Sequence, residues 1–418
     1  MEFLKTLDLV IAALFFLCYF YQFFYIPVAV LKKDEPHKVP KKHRFAVLIC
    51  ARDEEKVIGE LIHSIDRQTY DRSLVRIFVM ADNCADQTAR LARNAGALVY
   101  ERHDPKKIGK GYALEALMKA IRQDFPRDYF DGFFVFDADN VLDPHYIEEM
   151  NRAFSDGFDI ITSYRNSKNY GDNWISSGYA LWFLRESRFL NHARMKLGTS
   201  AAVSGTGFFF SRKIAEKDGP WPFHLLTEDI EFTVSHVLAG ERIAYCPTAV
   251  FYDEQPTSFL VSWHQRARWA KGYWQVFRKY GKSLLCGTLR GNFACFDMMM
   301  AIMPAAVLSV ADLLLYLGLF ATAFFSGESL LPTLLSFLES VGSIYLTLFV
   351  VGALTTLSER KQIHTSSTKQ IVYTFTFPLF MFTYLPISLV ALFQKVTWRP
   401  IAHSVTMEIP EGETRPVR

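Results

Sequence analysis

The chain has 418 residues, half of them hydrophobic and 21% charged, with 46 Lys and Arg against 43 Asp and Glu. This composition excludes intrinsic disorder, a collagen-like repeat and a small disulfide scaffold, and the length allows about two or three structural units. A net charge of +3 without a basic stripe gives no reason to expect nucleic acid as a partner. The six cysteines, Cys18, Cys50, Cys84, Cys246, Cys286 and Cys295, are never spaced as CxxC. They read as reduced, buried thiols of a cytosol-facing protein rather than as zinc ligands or a redox pair.

The first element is the uncharged run Leu9–Leu31. It is long enough to span a bilayer core, which takes about 20 residues. It is too long for the apolar part of a signal peptide and has no small-residue cleavage site, so it reads as an uncleaved anchor. Lys5 precedes it, whereas Lys32, Lys33, Lys38, Lys41, Lys42 and Arg44 follow. The positive-inside rule therefore predicts the N-terminus outside and the next unit in the cytoplasm.

From about residue 44 to 250, strand-like and helix-like segments alternate. Phe45–Cys50, Val75–Ala81 and Phe133–Phe136 are short apolar runs, followed by helical patterns at Val57–Gln68, Gln87–Ala95 and Pro144–Phe154. Such alternation predicts a mostly parallel sheet with helices on both faces. Ligands then bind beyond the carboxyl ends of the strands. Those ends read Ala51-Arg52-Asp53-Glu54-Glu55, Asp82-Asn83-Cys84-Ala85-Asp86 and Asp137-Ala138-Asp139. One such group alone reads as a loop or a cap; three together point to a polar ligand with a cation. Asp137 and Asp139 fall on one side of an extended chain and suit Mg²⁺ or Mn²⁺, hard cations that take carboxylate and phosphate oxygens.

Gly109-Lys110-Gly111 opens the helical run Tyr112–Ile121, where a Lys and backbone N–H groups can meet a phosphate; a glycine turn with a solvated Lys is the alternative. Thr227-Glu228-Asp229 reads either as a buried acidic pair supplying a general base or as a capped helix start. Gln265-Arg266-Ala267-Arg268-Trp269 lies among Trp263, His264, Lys271, Tyr273 and Trp274. Trp faces stack on sugars and Arg forks onto phosphate, while the same residues suit an interfacial amphipathic helix.

Three further apolar stretches follow. Met298–Phe325 carries one charge, Asp312; Leu330–Leu357 carries one, Glu339; Ile371–Phe393 carries none but contains Pro378 and Pro386. Loop 326–329 has no Lys or Arg and is expected outside, whereas loop 358–370 holds Arg360, Lys361 and Lys369 and is expected inside. The last stretch either spans, leaving the tail outside, or breaks at its prolines and returns it. Asp312 and Glu339 either line a path for a polar substrate or sit near an interface or a partner helix.

The ordered set Ala51-Arg52-Asp53-Glu54, Asp82, Asp137-x-Asp139, Thr227-Glu228-Asp229 and Gln265-x-x-Arg268-Trp269 resembles glycosyltransferase family 2. More narrowly, it resembles the membrane-embedded processive synthases of cellulose, chitin, hyaluronan and poly-N-acetylglucosamine. The resemblance covers residues 45–275 and implies an α/β GT-A (Rossmann-like) cytoplasmic domain plus transmembrane helices. It also implies a hexosyltransferase that moves sugar from a UDP-sugar with inversion. On that resemblance, Asp53 or Glu54 and Asp82 hold the uridine, Lys110 meets the diphosphate, and Asp139 with Asp137 holds Mg²⁺ or Mn²⁺. Asp229, beside Glu228, is the base. Gln265, Arg268 and Trp269 meet the diphosphate and the acceptor sugar, and Ser204–Phe210, with Gly205, Thr206 and Gly207, is the acceptor-side loop. Val396-Thr397-Trp398-Arg399-Pro400 resembles the Trp/Arg tail motif of hyaluronan and chitin-oligosaccharide synthases, but lacks their Gly-Thr-Arg. Asn83 stands where many members have Asp, and no cyclic-dinucleotide sensor follows the membrane helices.

The expected organisation is an anchor over 1–32, a GT-A domain over 33–255, an interfacial region over 256–294, two or three membrane spans over 295–395 and a tail over 396–418. The expected function is extension of a β-linked polysaccharide, coupled to its export through the membrane helices with a possible accessory export subunit. The alternative is transfer of a single sugar to a lipid carrier or glycolipid. A catalytically dead scaffold fits poorly, because it has no need of Asp139 and Asp229 together.

Overall fold

The computed structural model describes residues 2–33, 38–396, 401 and 403–407. Strands β1 (Phe45–Ala51), β2 (Val75–Asp82), β3 (Leu98–Arg102), β4 (Gly132–Asp137), β5 (Val141–Leu142), β6 (Ile160–Ser167), β7 (Phe208–Ser211) and β8 (Ile243–Asp253) build one sheet, ordered β3-β2-β1-β4-β7-β6-β8-β5. β1 runs parallel to β2 and β4, β2 to β3, and β6 to β8. β7 is inserted antiparallel between β4 and β6, and β5 pairs antiparallel with β8.

β1 explains why the strands read as unbroken apolar runs. Ala46 and Leu48 enter one apolar layer, and Phe45, Val47 and Ile49 enter the other. The period of two is present, but helices cover both faces, so no polar side is needed. Helices Ile58–Asp66, Thr88–Asn94, Lys110–Asp124 and Tyr146–Ser155 fall where the sequence predicts them. β3 is a short, partly exposed edge strand whose brief apolar run, Ala97–Tyr100, is absent from the predicted strands. Phe208–Ser211 is strand β7, so the expected acceptor-side loop is a loop only as far as Gly207.

Four helical runs are long and apolar enough to cross a membrane: Thr6–Leu31, Val307–Phe325, Leu331–Glu359 and Ser367–Phe393. Their outward faces carry exposed Leu335, Leu338, Leu346 and Phe375, as lipid contact requires. The expected Met298–Phe325 run divides at Met303 into Phe293–Ile302 and Pro304–Phe325, because Pro304 opens a helix but cannot continue one.

The fourth run breaks at Thr383 into Ser367–Phe382 and Tyr384–Phe393. Arg266 Nη1 donates to Phe380 O (3.2 Å) and Thr383 Oγ1 (2.6 Å) at the break, meeting a helix-end carbonyl. The two ends of this run are tied down: Lys369 Nζ donates to Gly171 O (2.7 Å) of the α/β unit, and Lys271 Nζ, on helix Phe259–Leu289, donates to Leu392 O (3.2 Å).

The sheet is pinned to the membrane helices by buried charge. Arg194 Nε and Nη2 donate to the two oxygens of Asp297 at 2.7 and 2.8 Å. Tyr21 and Tyr25, from the N-terminal run, donate to the same carboxylate at 2.7 and 2.9 Å. A second pin joins Glu359 to Tyr164 and Arg188. Asp297 is 0% and Arg194 2% exposed, so removing one partner strands the other charge. Asp297→Ala is expected to cost about 3–5 kcal/mol of stability, read as a large drop in the melting temperature of the detergent-solubilised protein. An unchanged melt would contradict this role.

Candidate active site

The carboxyl ends of β1, β2 and β4 open onto a cavity of about 1180 Å³. Of the residues expected in the site, Glu54, Asp82, Lys110, Asp137, Asp139, Gly205, Glu228, Asp229, Gln265, Arg268 and Trp269 line it. Asp53, Thr206 and Gly207 do not. Asp53 takes a left-handed turn (φ 57°), and its Oδ1 accepts from Ala85 N (2.7 Å), so it caps the neighbouring loop and leaves Glu54 to face inward. Asp53, Cys84 and Asp86 bring three potential ligand atoms within 4.8 Å of one another, but Asp53 and Asp86 are occupied by the backbone N–H groups of Ala85 and Glu55.

Thr206 works from behind the wall. Asp137 N donates to Thr206 Oγ1 (2.8 Å), and Thr206 Oγ1 donates to Asn140 Oδ1, which fixes the turn carrying the DxD pair. Gly207 (φ 64°) passes so near the Phe251 ring that a Cβ would lie 2.1 Å from it. Only glycine fits there.

Lys110 is the cation at the centre. Its Nζ donates to Asp137 Oδ1 and to Gly205 O (2.8 Å). Burial opposes its charge, but Asp137 and Glu228 outweigh burial and hold its pKa above the ordinary lysine value. Asp82 pairs with Arg102. Asp139 accepts from Glu254 N at 3.0 Å and Asn140 Nδ2 at 3.3 Å. Asp253 joins the group through Arg165. Burial lifts the Asp253 carboxyl to about 6, with Asp139 and Asp137 adding to the rise and Arg165 opposing it. Three carboxylates and hard oxygen donors here suit Mg²⁺ or Mn²⁺.

Glu228 and Asp229 open the helix Glu228–Leu238. Thr227, the expected cap, makes no capping hydrogen bond. Its side chain instead meets Gly272, where a Cβ would lie 2.5 Å from it, so helix Phe259–Leu289 lies directly against the acids. Burial raises both carboxyls, Glu228 to about 7 with Asp229 adding to its rise, while Lys110 and Arg268 oppose the rise of both. Glu228 is buried, but Asp229 is half-open to the cavity, and its Oδ2 stands 3.9 Å from the Cβ position of Gly205. Of the two, Asp229 therefore faces the Gly205 side of the cavity. From the same long helix, Arg268 Nη1 donates to Leu226 O (2.8 Å). Trp269 stacks edge-on against Tyr179 at 5.7 Å. Gln265 Oε1 is buried and accepts no hydrogen bond among the described residues.

The cavity continues past Trp263 and Trp274 between the apolar helices, to Leu313, Phe337, Ile344 and Leu348. Asp312 lies on its wall and hydrogen-bonds Asp8. Glu339 is exposed and off the wall.

The sequence pattern of the family described as glycosyltransferase-like family 2 matches residues 43–272, more than half of the chain. The chain belongs to this family. Among curated proteins it is 26% identical over 272 residues to the probable glycosyltransferase YdaM of Bacillus subtilis (59% of each chain). It is 24% identical over 277 residues to the beta-monoglucosyldiacylglycerol synthase of Trichormus variabilis (64% of this chain, 56% of that one). It is 24% identical over 253 residues to the poly-beta-1,6-N-acetyl-D-glucosamine synthase of Staphylococcus aureus strain N315 (59% and 58%). The chain thus spans under three-fifths of the length of these relatives. Its fold is similar to that of the mannosyltransferase PcManGT from Pyrobaculum calidifontis in complex with GDP-Man and Mn2+. The TM-score is 0.56 at 17% identity, covering 93% of this chain and 99% of that one.

Sequence reading missed Arg165, Glu186, Asp253, Glu254 and His403, all on the cavity wall. Asp253 and Glu254 were visible in principle as acids closing β8, the strand that the alternation did not identify. His403 had no local signal. The Trp/Arg tail motif, at Thr397–Pro400, lies outside the described residues. Ile401 and His403, after it, lie on the wall of the cavity. His403 Nδ1 meets Glu54 at 3.0 Å, and Ser404 N and Val405 N both donate to Glu254 Oε2 at 2.8 Å.

Burial works against the His403 imidazolium, but Asp139, Glu54 and Glu254 outweigh it and lift its pKa from 6.5 to about 10. A raised histidine contributes its docking energy fully below the free value and loses it as pH rises through the docked value. The tail is therefore expected to stay docked at pH 8 and to loosen as pH passes about 10, and His403→Ala to loosen it already at pH 8. Hydrogen exchange at residues 403–407 reads this. Equal protection at pH 8 and in strong alkali would contradict it.

Proposed function

We propose that this chain is a membrane glycosyltransferase that moves one hexose, with inversion, from a nucleotide diphosphate sugar to an acceptor with a polyhydroxyl head and an apolar tail. The observation that carries this reading is the shape and chemistry of the cavity. It begins among strand-end carboxylates and ends among Leu313, Phe337, Ile344 and Leu348. A path for a long glycan would need polar walls along its length; between the membrane helices apolar side chains make up most of this wall, with Ser309, Asp312, Ser340 and Ser388 as its polar groups. The glycolipid synthases among the relatives support the same choice. The polysaccharide synthase among them and the row of Trp263, Trp269 and Trp274 on the wall support the second reading, extension and export of a polymer.

In this mechanism, Glu54 and Asp82 lie at the nucleoside end, and Lys110 and Arg268 meet the diphosphate. Asp139 and Asp137 hold a divalent cation, which neutralises charge on the departing nucleotide when bound. Lys110 exchanges its partner Asp137 for phosphate oxygens. Asp229 takes the proton of the attacking hydroxyl, a contribution of about 10²–10⁴-fold, with burial holding its carboxyl above the ordinary value. A single attack from the face opposite the leaving group inverts the anomeric carbon. Thr227, Arg268 and Trp269 are held in place by the close approach of Gly272.

We further propose that the α/β domain faces the cytoplasm, with the N-terminus outside. The six basic residues after the first run support this. The contacts of Lys369, Lys271 and His403 with the domain support placing the tail on the same side, with the fourth run returning rather than crossing.

Two experiments test the reading. Protein in nanodiscs is given radiolabelled UDP- and GDP-sugars, Mn²⁺ and a lipid extract. A chloroform-extractable product one hexose heavier than its acceptor is the expected result. A long alkali-resistant polymer overturns it in favour of the second reading. Asp229→Asn is expected to bind nucleotide normally, by calorimetry, while transfer falls by at least about 100-fold. Loss of both together would remove Asp229 from the role of base.

A further inference from the structure

The mechanism above uses Asp229 but leaves unused a second carboxylate on the acceptor side of the cavity. Glu186 begins a turn of π-helix, Glu186–Asn191, inserted between the helices Trp174–Arg185 and His192–Leu197. Such wide turns push a side chain out of the regular helical register and recur at functional sites. Here the turn aims Glu186 at the cavity wall, beside Trp182 and Phe183.

The surroundings of Glu186 are built from groups that are otherwise occupied. Arg165 is committed to Asp253 through Nε at 2.8 Å, to Ser204 O at 2.9 Å, and to the face of Phe183 at 3.5 Å. Arg194 is committed to Asp297. Glu186 itself accepts one hydrogen bond, from Ser204 Oγ to Oε2 at 3.2 Å. Its other oxygen has no hydrogen-bond partner among the described residues. Ser204 is the residue before Gly205, whose carbonyl is held by Lys110 and whose α-carbon borders Asp229. One short loop therefore sets the positions of both acids. Across from it, Tyr273 on helix Phe259–Leu289 also lines the cavity, within electrostatic reach of both Glu186 and Asp229. Its hydroxyl likewise has no hydrogen-bond partner among the described residues.

A carboxylate only accepts and a phenol both donates and accepts. Set beside a general base, they complement an acceptor with hydroxyls on neighbouring carbons: one hydroxyl reacts at Asp229 while the next is held. An unmade hydrogen bond to a buried carboxylate is costly, so such a pair rejects acceptors that lack the second hydroxyl.

We propose that Glu186 and Tyr273 grip a hydroxyl of the acceptor adjacent to the one that is glycosylated, making them specificity-determining residues for a polyhydroxylated acceptor head. This rests on the transferase reading and adds the acceptor's head-group chemistry to it.

The probes are octyl β-D-glucoside and its monodeoxy analogues, with whichever UDP- or GDP-sugar the wild-type protein turns over. The deoxy analogue that lacks the reacting hydroxyl gives no product and identifies that position. For wild type, removing the adjacent hydroxyl is expected to lower kcat/KM by about 10- to 100-fold, mostly through KM. Glu186→Gln is expected to show that loss with the parent glucoside and to lose no more than about twofold again with the deoxy analogue. Tyr273→Phe is expected to behave the same way with a smaller first loss. If Glu186→Gln keeps the wild-type acceptor KM, or loses the full factor a second time with the deoxy analogue, the inference is overturned while the transferase reading stands. If the wild-type protein releases nucleotide but glycosylates no alkyl glucoside or lipid hydroxyl, the transferase reading falls and takes this inference with it. A merely structural Glu186 would change kcat with all the glucosides alike, which also counts against the proposal.

Discussion

Everything at the active site depends on an α/β sheet being held at one fixed height against a set of apolar helices, and one buried ion pair carries most of that constraint. Arg194 stands on the sheet's side and Asp297 on the short helix before Pro304. The hydroxyls of Tyr21 and Tyr25 bring the N-terminal run to the same carboxylate. Three parts of the chain that are remote in sequence thus share one charge pair. A buried pair of this kind is not a large source of net stability. What it does is penalise every arrangement in which the partners separate, because each would leave a charge in a medium of low dielectric. The second pin, Glu359 with Tyr164 and Arg188, acts at another membrane helix, and together they prevent the sheet from rocking on the bilayer. A cavity that runs from one to the other can then keep its shape.

Within that frame, the site is a problem in charge balance. Glu54, Asp82, Asp137, Asp139, Glu228, Asp229 and Asp253 line one cavity, and Lys110, Arg165 and Arg268 answer them. Burial, with neighbouring acids, lifts Glu228 and Asp253 into the range of physiological pH. Asp137 and Asp139 offer hard oxygen donors of the kind that divalent cations take. Lys110 bonds both Asp137 and the carbonyl of Gly205, so one cation ties the DxD turn to the Ser204–Gly205 loop.

Much of this was legible in the sequence because it is written in short-range terms. Apolar runs of strand length, acids directly after them and helical spacing between them are properties of neighbouring residues. They placed Asp82, Asp137 and Asp139 at one end of a sheet before any packing was considered. The reading failed where one residue's conformation decides which way its side chain points. Asp53 and Glu54 are adjacent and chemically alike, but the left-handed backbone at Asp53 turns one outward and leaves the other on the wall. Thr206 and Gly207 looked like acceptor contacts and are instead the support for the DxD turn and a point of close packing. β7 was hidden because Phe208-Phe209-Phe210 has no polar alternation and lies beside glycines that suggest a loop.

The sequence by itself determined the family, the alternating α/β unit, the apolar runs and the identity of the acids and cations at the strand ends, because each follows from local pattern and from side-chain chemistry. Only the tertiary structure decided that the fourth apolar run starts against the α/β unit and ends against helix Phe259–Leu289, that His403 reaches Glu54 across 349 positions, and that Glu186 and Tyr273 join the wall of a cavity that extends between the apolar helices. Those facts depend on which surfaces come together. A chain of 418 residues can bring remote positions into contact in many ways, and the choice is made by close packing and by the cost of leaving buried charges without partners.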